Sequence, residues 1–183
     1  MKKITVISSS LRKNSNSEIL ASEFIKGAKE NGNEINLINL KDIKMQFCIG
    51  CLSCNKTHKC VLKDDVTKNM LDDICNSDVI VFVTPVYYYA ISGQLKTFID
   101  RMNPIYCMKY KFKDIYVIST AAEDEVRTFK GIKEDIKGFV DCYEGTKVKG
   151  TLFAGGLEKP SDAKKNKDLL KKAYDMGKKI VAK

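Results

Sequence analysis

Two rhythms of apolar and polar positions alternate along the chain. Short runs rich in β-branched residues recur at 3–8, 34–39, 78–84, 114–119 and 147–153, the pattern of strands. The third, Val79-Ile80-Val81-Phe82-Val83, is apolar throughout, as a strand buried on both faces requires. Between these runs lie amphipathic stretches at 17–31, 64–76, 92–102, 125–142 and 161–181, which predict helices. The first places Ile19, Leu20, Phe24, Ile25 and Ala28 on one face and stops at Asn31-Gly32-Asn33. Asp64 and Asp65 open the second, where acidic residues complement the helix dipole. Pro85 closes the third strand, and Gly155-Gly156 end the fifth.

Five strands alternating with five helices predict an α/β fold: a three-layer, doubly wound, five-stranded parallel sheet covered on both faces. Alternation does not fix strand order. An order of 2-1-3-4-5 would put a topological switch point between strands 1 and 3, with ligands at their carboxyl ends. No repeat or low-complexity linker interrupts the chain, so residues 1–183 are expected to form one domain.

Composition adds limits. The 183 residues are 44% hydrophobic and 30% charged, ordinary for a globular chain. No apolar run approaches the roughly 20 residues of a membrane span, and Met1-Lys2-Lys3 leads straight into a strand without a signal-peptide pattern. A cytoplasmic location with no membrane partner is the expectation. The net charge is +9, and 159–183 carries nine Lys against three Asp. These lysines surround an amphipathic helix without interleaved Arg and aromatics, which argues for a solvated face and against nucleic-acid binding.

Candidate chemistry collects in the loops after the strands. After strand 1 comes Ser8-Ser9-Ser10-Leu11-Arg12-Lys13-Asn14-Ser15-Asn16-Ser17. Hydroxyls, amides, a guanidinium and the positive end of the following helix suit a dianionic phosphate. A polar loop with a Ser or Asn cap is the plainer alternative; no Gly-rich dinucleotide or nucleoside-triphosphate fingerprint is present. After strand 3 comes Thr84-Pro85-Val86-Tyr87-Tyr88-Tyr89, able to flank a flat aromatic ligand or to pack against a neighbour. After strand 4 comes Thr120-Ala121-Ala122-Glu123. After strand 2 come four of the seven cysteines, Cys48, Cys51, Cys54 and Cys60. An odd total in such a chain argues against a disulfide scaffold; the clustering argues for metal or redox chemistry. Four thiols at this spacing suit a 4Fe–4S cluster, a tetrahedral zinc ion, or a free or disulfide-forming state. Lys56, Lys59 and Lys63 favour the thiolates in each case. Topology places the segment beside the other loops. The single histidine, His58, lies inside the cysteine segment, where it could be a ligand, but is read as a surface loop residue; Cys75, Cys107 and Cys142 are read as buried small hydrophobes. Lys96, Asp100 and Arg101 are read as helix or interface ion pairs, worth little if exposed.

These segments resemble a known family. The Ser-rich loop resembles the phosphate loop of flavodoxin-like NAD(P)H-dependent FMN reductases. The run Thr84-Pro85-Val86-Tyr87 through Ser92-Gly93-Gln94-Leu95-Lys96 to Asp100-Arg101 resembles their flavin loop and following helix. The cysteine spacing followed by Asp64-Asp65 is similar to that of the iron–sulfur flavoproteins. The resemblance implies a flavodoxin-like fold of order 2-1-3-4-5, non-covalent FMN and reduction by a nicotinamide nucleotide, NADH or NADPH. It implies that Ser8, Ser10, Arg12, Ser15, Asn16 and Ser17 hold the phosphate. Pro85, Val86, Tyr87 and Tyr88 would flank the isoalloxazine, and Thr120 and Ala121 would complete the site. It also implies a homodimer or homotetramer; beside the resemblance, Tyr87–Tyr89 and Ile105-Tyr106 put aromatics where interfaces favour them. Ser8 and Ser9 stand where the family often has Gly, and the loop after strand 4 lacks a Gly-rich run.

The leading expectation is an FMN-dependent oxidoreductase passing electrons from NAD(P)H to a small-molecule or protein acceptor, with no protein acid or base required. An electron-carrier flavoprotein is the alternative; the basic chain disfavours it, since carriers present acidic docking faces. A zinc-stabilised binding module would leave the phosphate and aromatic loops without a role.

Overall fold

The computed structural model describes residues 1–181, apart from the side chain of Asn69; the last two residues of the expected 1–183 domain lie outside the described residues. Five parallel strands, β1 (Lys3–Ser8), β2 (Glu34–Asn39), β3 (Val79–Pro85), β4 (Asp114–Thr120) and β5 (Lys147–Ala154), form one sheet in the order β2-β1-β3-β4-β5. β1 pairs with β3 from Ile4–Val79 to Ser8–Val83, and Ser9 extends the ladder by donating its N–H to the Val83 carbonyl at 2.9 Å. The chain reverses winding direction between β1 and β3. The two strands' following segments therefore diverge to opposite faces and leave a crevice.

Each face of the sheet has its own apolar layer. On one, Ile4, Val6, Val79, Val81 and Val83 pack with Leu20 and Phe24 of α1 (Asn16–Glu30) and Ala173 of α7 (Lys167–Lys178). On the other, Ile7, Ile80, Phe82, Ile115 and Val117 meet Ile74, Leu95 and Phe98, and Ile132, Ile136 and Phe139. The helices there are α4 (Leu71–Cys75), α5 (Gly93–Arg101) and α6 (Lys130–Asp141). The period-2 alternation within β3, odd residues to one layer and even to the other, is what burial on both faces demands.

Three helices are shorter or more broken than their amphipathic pattern suggests. The stretch 64–76 divides at Met70 into α3 (Asp65–Asn69), capped by Asp64, and α4. The stretch 125–142 opens with a 3-10 turn at Val126–Phe129, and α6 begins only at Lys130. The last helix starts only at Lys167, where the Asn166 side chain accepts from the Leu169 N–H at 3.1 Å; the preceding Ser161 is left-handed at φ 68°. The irregular cysteine segment contains one turn of helix, α2 (Cys54–Thr57). Among the described residues no helix is long and apolar enough to cross a membrane.

α1 and α7 touch backbone to backbone. A Cβ on Gly27 would lie 2.1 Å from the Tyr174 carbonyl oxygen, and one on Gly177 would lie 2.0 Å from that of Phe24. The clash is with main chain, which cannot swing aside. Gly177→Ala is therefore expected to destabilise by about 1–3 kcal/mol, against a propensity gain of up to about 1 kcal/mol. Thermal melting should show a Tm lower by several degrees; an unchanged or raised Tm would refute this account of the helix pair.

Candidate functional site

The crevice at the β1/β3 switch point holds a cleft of about 150 Å³ lined by Ser10, Arg12, Ser15, Asn16, Ser17, Pro85, Val86, Tyr87, Thr120 and Ala121, with Ala122, Leu157 and Glu158 closing it. Local folding explains the arrangement. Ser15 caps α1, its Oγ accepting from the Glu18 N–H at 3.2 Å. The first N–H groups of the helix, at Asn16 and Ser17, have no carbonyl within the helix to bond and carry its positive dipole end. Ser10 Oγ accepts from the Arg12 N–H at 3.4 Å, and Ser17 shares a 2.8 Å hydroxyl bond with Thr120. The exposed Arg12 guanidinium has no protein partner among the described residues. Donors therefore outnumber acceptors at this end, a set suited to a phosphate.

Asn16 is spent differently. Its amide donates to the carbonyls of Leu157 (3.3 Å) and Lys159 (2.9 Å), and its oxygen accepts from the Ala163 N–H at 3.0 Å. It staples the loop after β5 over the cleft, leaving its backbone N–H as its donor to a ligand. Ser8 remains buried inside β1 and does not border the cleft. The strand runs through it, and the first hydroxyl to reach the cleft is that of Ser10.

The aromatic loop is a tight hairpin. Tyr87 and Ala90 exchange two backbone hydrogen bonds at 3.1 Å each, and the central residues Tyr88 and Tyr89 have φ of 49° and 62°. Positive φ at both centres is the type I′ geometry ordinarily given to Asn-Gly, so two bulky tyrosines there are strained. The surroundings hold the turn. The Val86 N–H donates to the Thr120 carbonyl at 2.9 Å, the Ile91 N–H to Asp135 at 3.1 Å, and Tyr89 Oη to Glu123 at 3.1 and 3.2 Å. That carboxylate raises the Tyr89 phenol above its ordinary range. Gly131 of α6 lies so close that a Cβ would sit 2.0 Å from the Tyr89 backbone carbonyl oxygen. Tyr88 is 100% exposed at the tip. It borders a second hollow of about 260 Å³, joined to the first through Val86, Ala121 and Ala122, rather than the cleft itself.

Cys48, Cys51, Cys54 and Cys60 border one hollow together with Asp100, Arg101, Asn103 and Pro104. Left-handed residues at Gly50, Leu52 and His58 curl the chain around it. The donor set fits a sulfur-ligated group, although among the described residues no three His, Cys, Asp or Glu side chains yet converge as a metal site. Hydrogen bonds from Ser53 lower the Cys51 thiol below its ordinary range. The hollow shares no lining residue with the cleft. It lies at the carboxyl end of α5, while the cleft lies near that helix's start; nine residues of helix span about 13 Å. The expectation that the thiols adjoin the other loops thus meets a separation within one chain, because the segment after β2 runs down along α5.

Other residues depart from their sequence readings. Arg101, read as a minor ion pair, is 1% exposed and bound to Asp64, with further bonds to the Gln46 carbonyl (2.9 Å) and Thr67 Oγ1 (2.8 Å). Burial pushes the Asp64 carboxyl up, but hydrogen bonds from Arg101 and from the Gln46 and Thr67 amides outweigh it and hold it below the usual range. Lys96 and Asp100 do form the exposed i,i+4 pair at 2.6 Å. Cys75 is buried, which pushes its thiol up to about 11. Cys107 is half-buried, and Cys142 is exposed, because α6 ends at Asp141 and turns Cys142 outward. Cys142 borders a larger hollow of about 670 Å³ between the thiol loop and α6. His58 is exposed, with Nδ1 2.6 Å from the Cys107 carbonyl.

A family model described as NADPH-dependent FMN reductase matches residues 2–125. An iron–sulfur flavoprotein of Methanocaldococcus jannaschii is 36% identical over 103 residues, 56% of this chain and 53% of its own length. One from Archaeoglobus fulgidus is 32% identical over 106 residues, 57% and 46% respectively. The chain thus matches about half the length of these relatives. Among solved structures, an azoreductase from Bacillus anthracis superposes with a TM-score of 0.74 at 16% identity, covering 98% of this chain and 100% of that one. An NAD(P)H:quinone oxidoreductase from Methanothermobacter marburgensis gives 0.73 at 18%, covering 98% and 96%. At such identity these two establish the flavodoxin-like fold.

The buried Asp64–Arg101 pair generates a pH-dependent expectation. Asp64→Asn leaves a buried cation uncompensated and should cost about 3–5 kcal/mol near neutrality. Because the folded-state carboxyl is depressed, its contribution is present above the unfolded value of about 3.9 and is lost as pH falls through the folded value. Urea unfolding across the acid range should show the wild-type advantage shrinking below about pH 4. A pH-independent gap would refute the linkage.

Proposed function

The chain belongs to the NADPH-dependent FMN reductase family, and from that premise we propose that it is an FMN-dependent oxidoreductase taking electrons from NAD(P)H and passing them to an acceptor. The observation that carries this reading is the cleft at the β1/β3 switch point, with phosphate donors at one end and a flat, stiff wall at the other. FMN bound there supplies the two-electron exchange. Arg12, the Ser10 hydroxyl, the one hydroxyl of the Ser17–Thr120 pair whose proton is not spent on the other, and the backbone N–H groups of Asn16 and Ser17 would bind its phosphate. Pro85, Val86 and Tyr87 would form the wall along the ring, with Ala121 opposite. The adjoining hollow beside Tyr88 and Tyr89 would admit the nicotinamide nucleotide and exclude water from the ring.

Cys48, Cys51, Cys54 and Cys60 would hold a 4Fe–4S cluster, a one-electron group, and its acceptor would be a small molecule or protein docking on that side. Seven unpaired thiols suit a reducing compartment such as the cytoplasm. Residues 1–183 would act as one domain assembled into homodimers or homotetramers, with Tyr88 and Tyr106 covered by neighbouring copies.

Anaerobically purified protein should show a flavin spectrum and release FMN on denaturation; released FAD, or no flavin after reconstitution, would overturn the proposal. Arg12→Ala removes charge-assisted bonds worth about 1.5–3 kcal/mol, so the FMN Kd should rise roughly ten- to a hundredfold, measured by fluorescence quenching. Gly131→Ala should also weaken FMN binding, by displacing the Tyr88–Tyr89 turn without altering a phosphate donor; unchanged affinity would remove the turn from the site.

A further inference from the structure

We propose that Arg101 and Asn103 are positioning residues for the thiol loop, closing it around one hollow and supplying the N–H···S hydrogen bonds that set the reduction potential of the group held there. This rests on the reading that the four cysteines hold an iron–sulfur cluster.

The clasp is visible in the partners of one guanidinium. Arg101 donates to the Gln46 carbonyl, two residues before Cys48, and to Asp64 and Thr67, just after Cys60. Asp64 in turn accepts from the Gln46 N–H at 2.9 Å, and Lys44 and Asp65 exchange bonds at 2.6 and 3.3 Å. The chain therefore enters and leaves the cysteine segment at one point, and Arg101 is buried in that point.

An ion pair alone would end at Asp64, but two donors are directed at sulfur. Arg101 Nη2 lies 3.5 Å from Cys60 Sγ, and Asn103 Nδ2 lies 3.2 Å from Cys54 Sγ. Both follow from the end of α5, and both residues border the hollow. Arg101 Nε is also buried and has no partner among the described residues. The placement answers an electrostatic problem. The carboxyl end of α5 carries the negative end of its dipole, which repels thiolates packed against it; Asp64 neutralises the net charge of Arg101, and it is the N–H groups of Arg101 and Asn103, directed at sulfur, that oppose the repulsion locally. Hydrogen bonds to cluster sulfurs favour the more negative, reduced form and so raise its potential.

The test uses the FMN-loaded protein, reconstituted anaerobically with iron and sulfide, as wild type, Asn103→Ala and Arg101→Lys. The cluster midpoint is read by EPR-monitored redox titration, alongside the FMN midpoint and the melting temperature. Asn103→Ala should make cluster reduction about tenfold less favourable, a fall of about 59 mV for one electron, with FMN midpoint and melting unchanged. Arg101→Lys keeps the charge beside Asp64 but loses the fork, and should shift the cluster in the same direction. If Arg101→Lys proves too unstable to purify, Asn103→Ala decides. A loaded cluster whose midpoint does not move in the variants overturns this inference and leaves the cluster reading standing. A wild type that takes up no iron and gives no EPR signal on reduction overturns both.

Discussion

The pairing of β1 with β3 is the constraint on which the rest depends. It places two carboxyl ends side by side while their following segments leave for opposite faces, and the crevice between them must be lined by polar groups that are nevertheless satisfied. Three buried hydroxyls meet that condition. Ser9 Oγ bonds the Val83 carbonyl at 3.1 Å and accepts from Ser92 Oγ at 2.8 Å, while Thr84 Oγ1 accepts from the Ser92 N–H at 3.1 Å. Ser92 Oγ also accepts from the Leu95 N–H at 3.3 Å and so caps α5. An unmade hydrogen bond here would cost about 1–3 kcal/mol. The network fixes the floor of the cleft and the start of α5 in one move.

That coupling gives α5 its place in the architecture. Its first turn is tied to the strands beneath the cleft, and its last residue is the cation that clasps the cysteine segment. Between them, Leu95 and Phe98 are buried in the core and prevent the helix from sliding. The two candidate redox sites of one chain are thus held at opposite ends of one short rigid rod. A loop free to wander would not keep four thiols beside a fixed pair of donors.

Much of this was legible in the sequence. The five strands appear because a sheet buried on both faces leaves a long apolar signature, clearest at Val79–Val83. Ten of the twelve residues expected to hold the cofactor border one cleft, since the loops after β1, β3 and β4 must share an edge in any sheet of this order. What escaped depends on partners far away in the chain. Arg101 looks like a surface helix residue until Asp64, 37 positions earlier, is beside it. Asn16 looks like a ligand donor until the loop at 157–163 folds over and takes its side chain. The late start of the final helix was, by contrast, written in Asn166, a good cap that amphipathic periodicity alone overlooks.

The Tyr88–Tyr89 turn shows why local signals misled where they did. Tyrosine favours strands and avoids positive φ, so nothing in its propensity announces a type I′ hairpin. Each left-handed tyrosine costs about 1–3 kcal/mol, and such strain persists only when neighbours over-determine it. Here they do so from three directions: the β4 backbone at Thr120, Glu123 in the following loop, and α6 through Asp135 and the close approach at Gly131. The exposed tip contributes no compensating burial, since Tyr88 is fully open to solvent. The fold therefore holds one aromatic ring in a strained turn beside the cleft, fully open to solvent. Backbone strain and phosphate donors thus mark the same edge of the sheet independently, one from conformation and the other from charge.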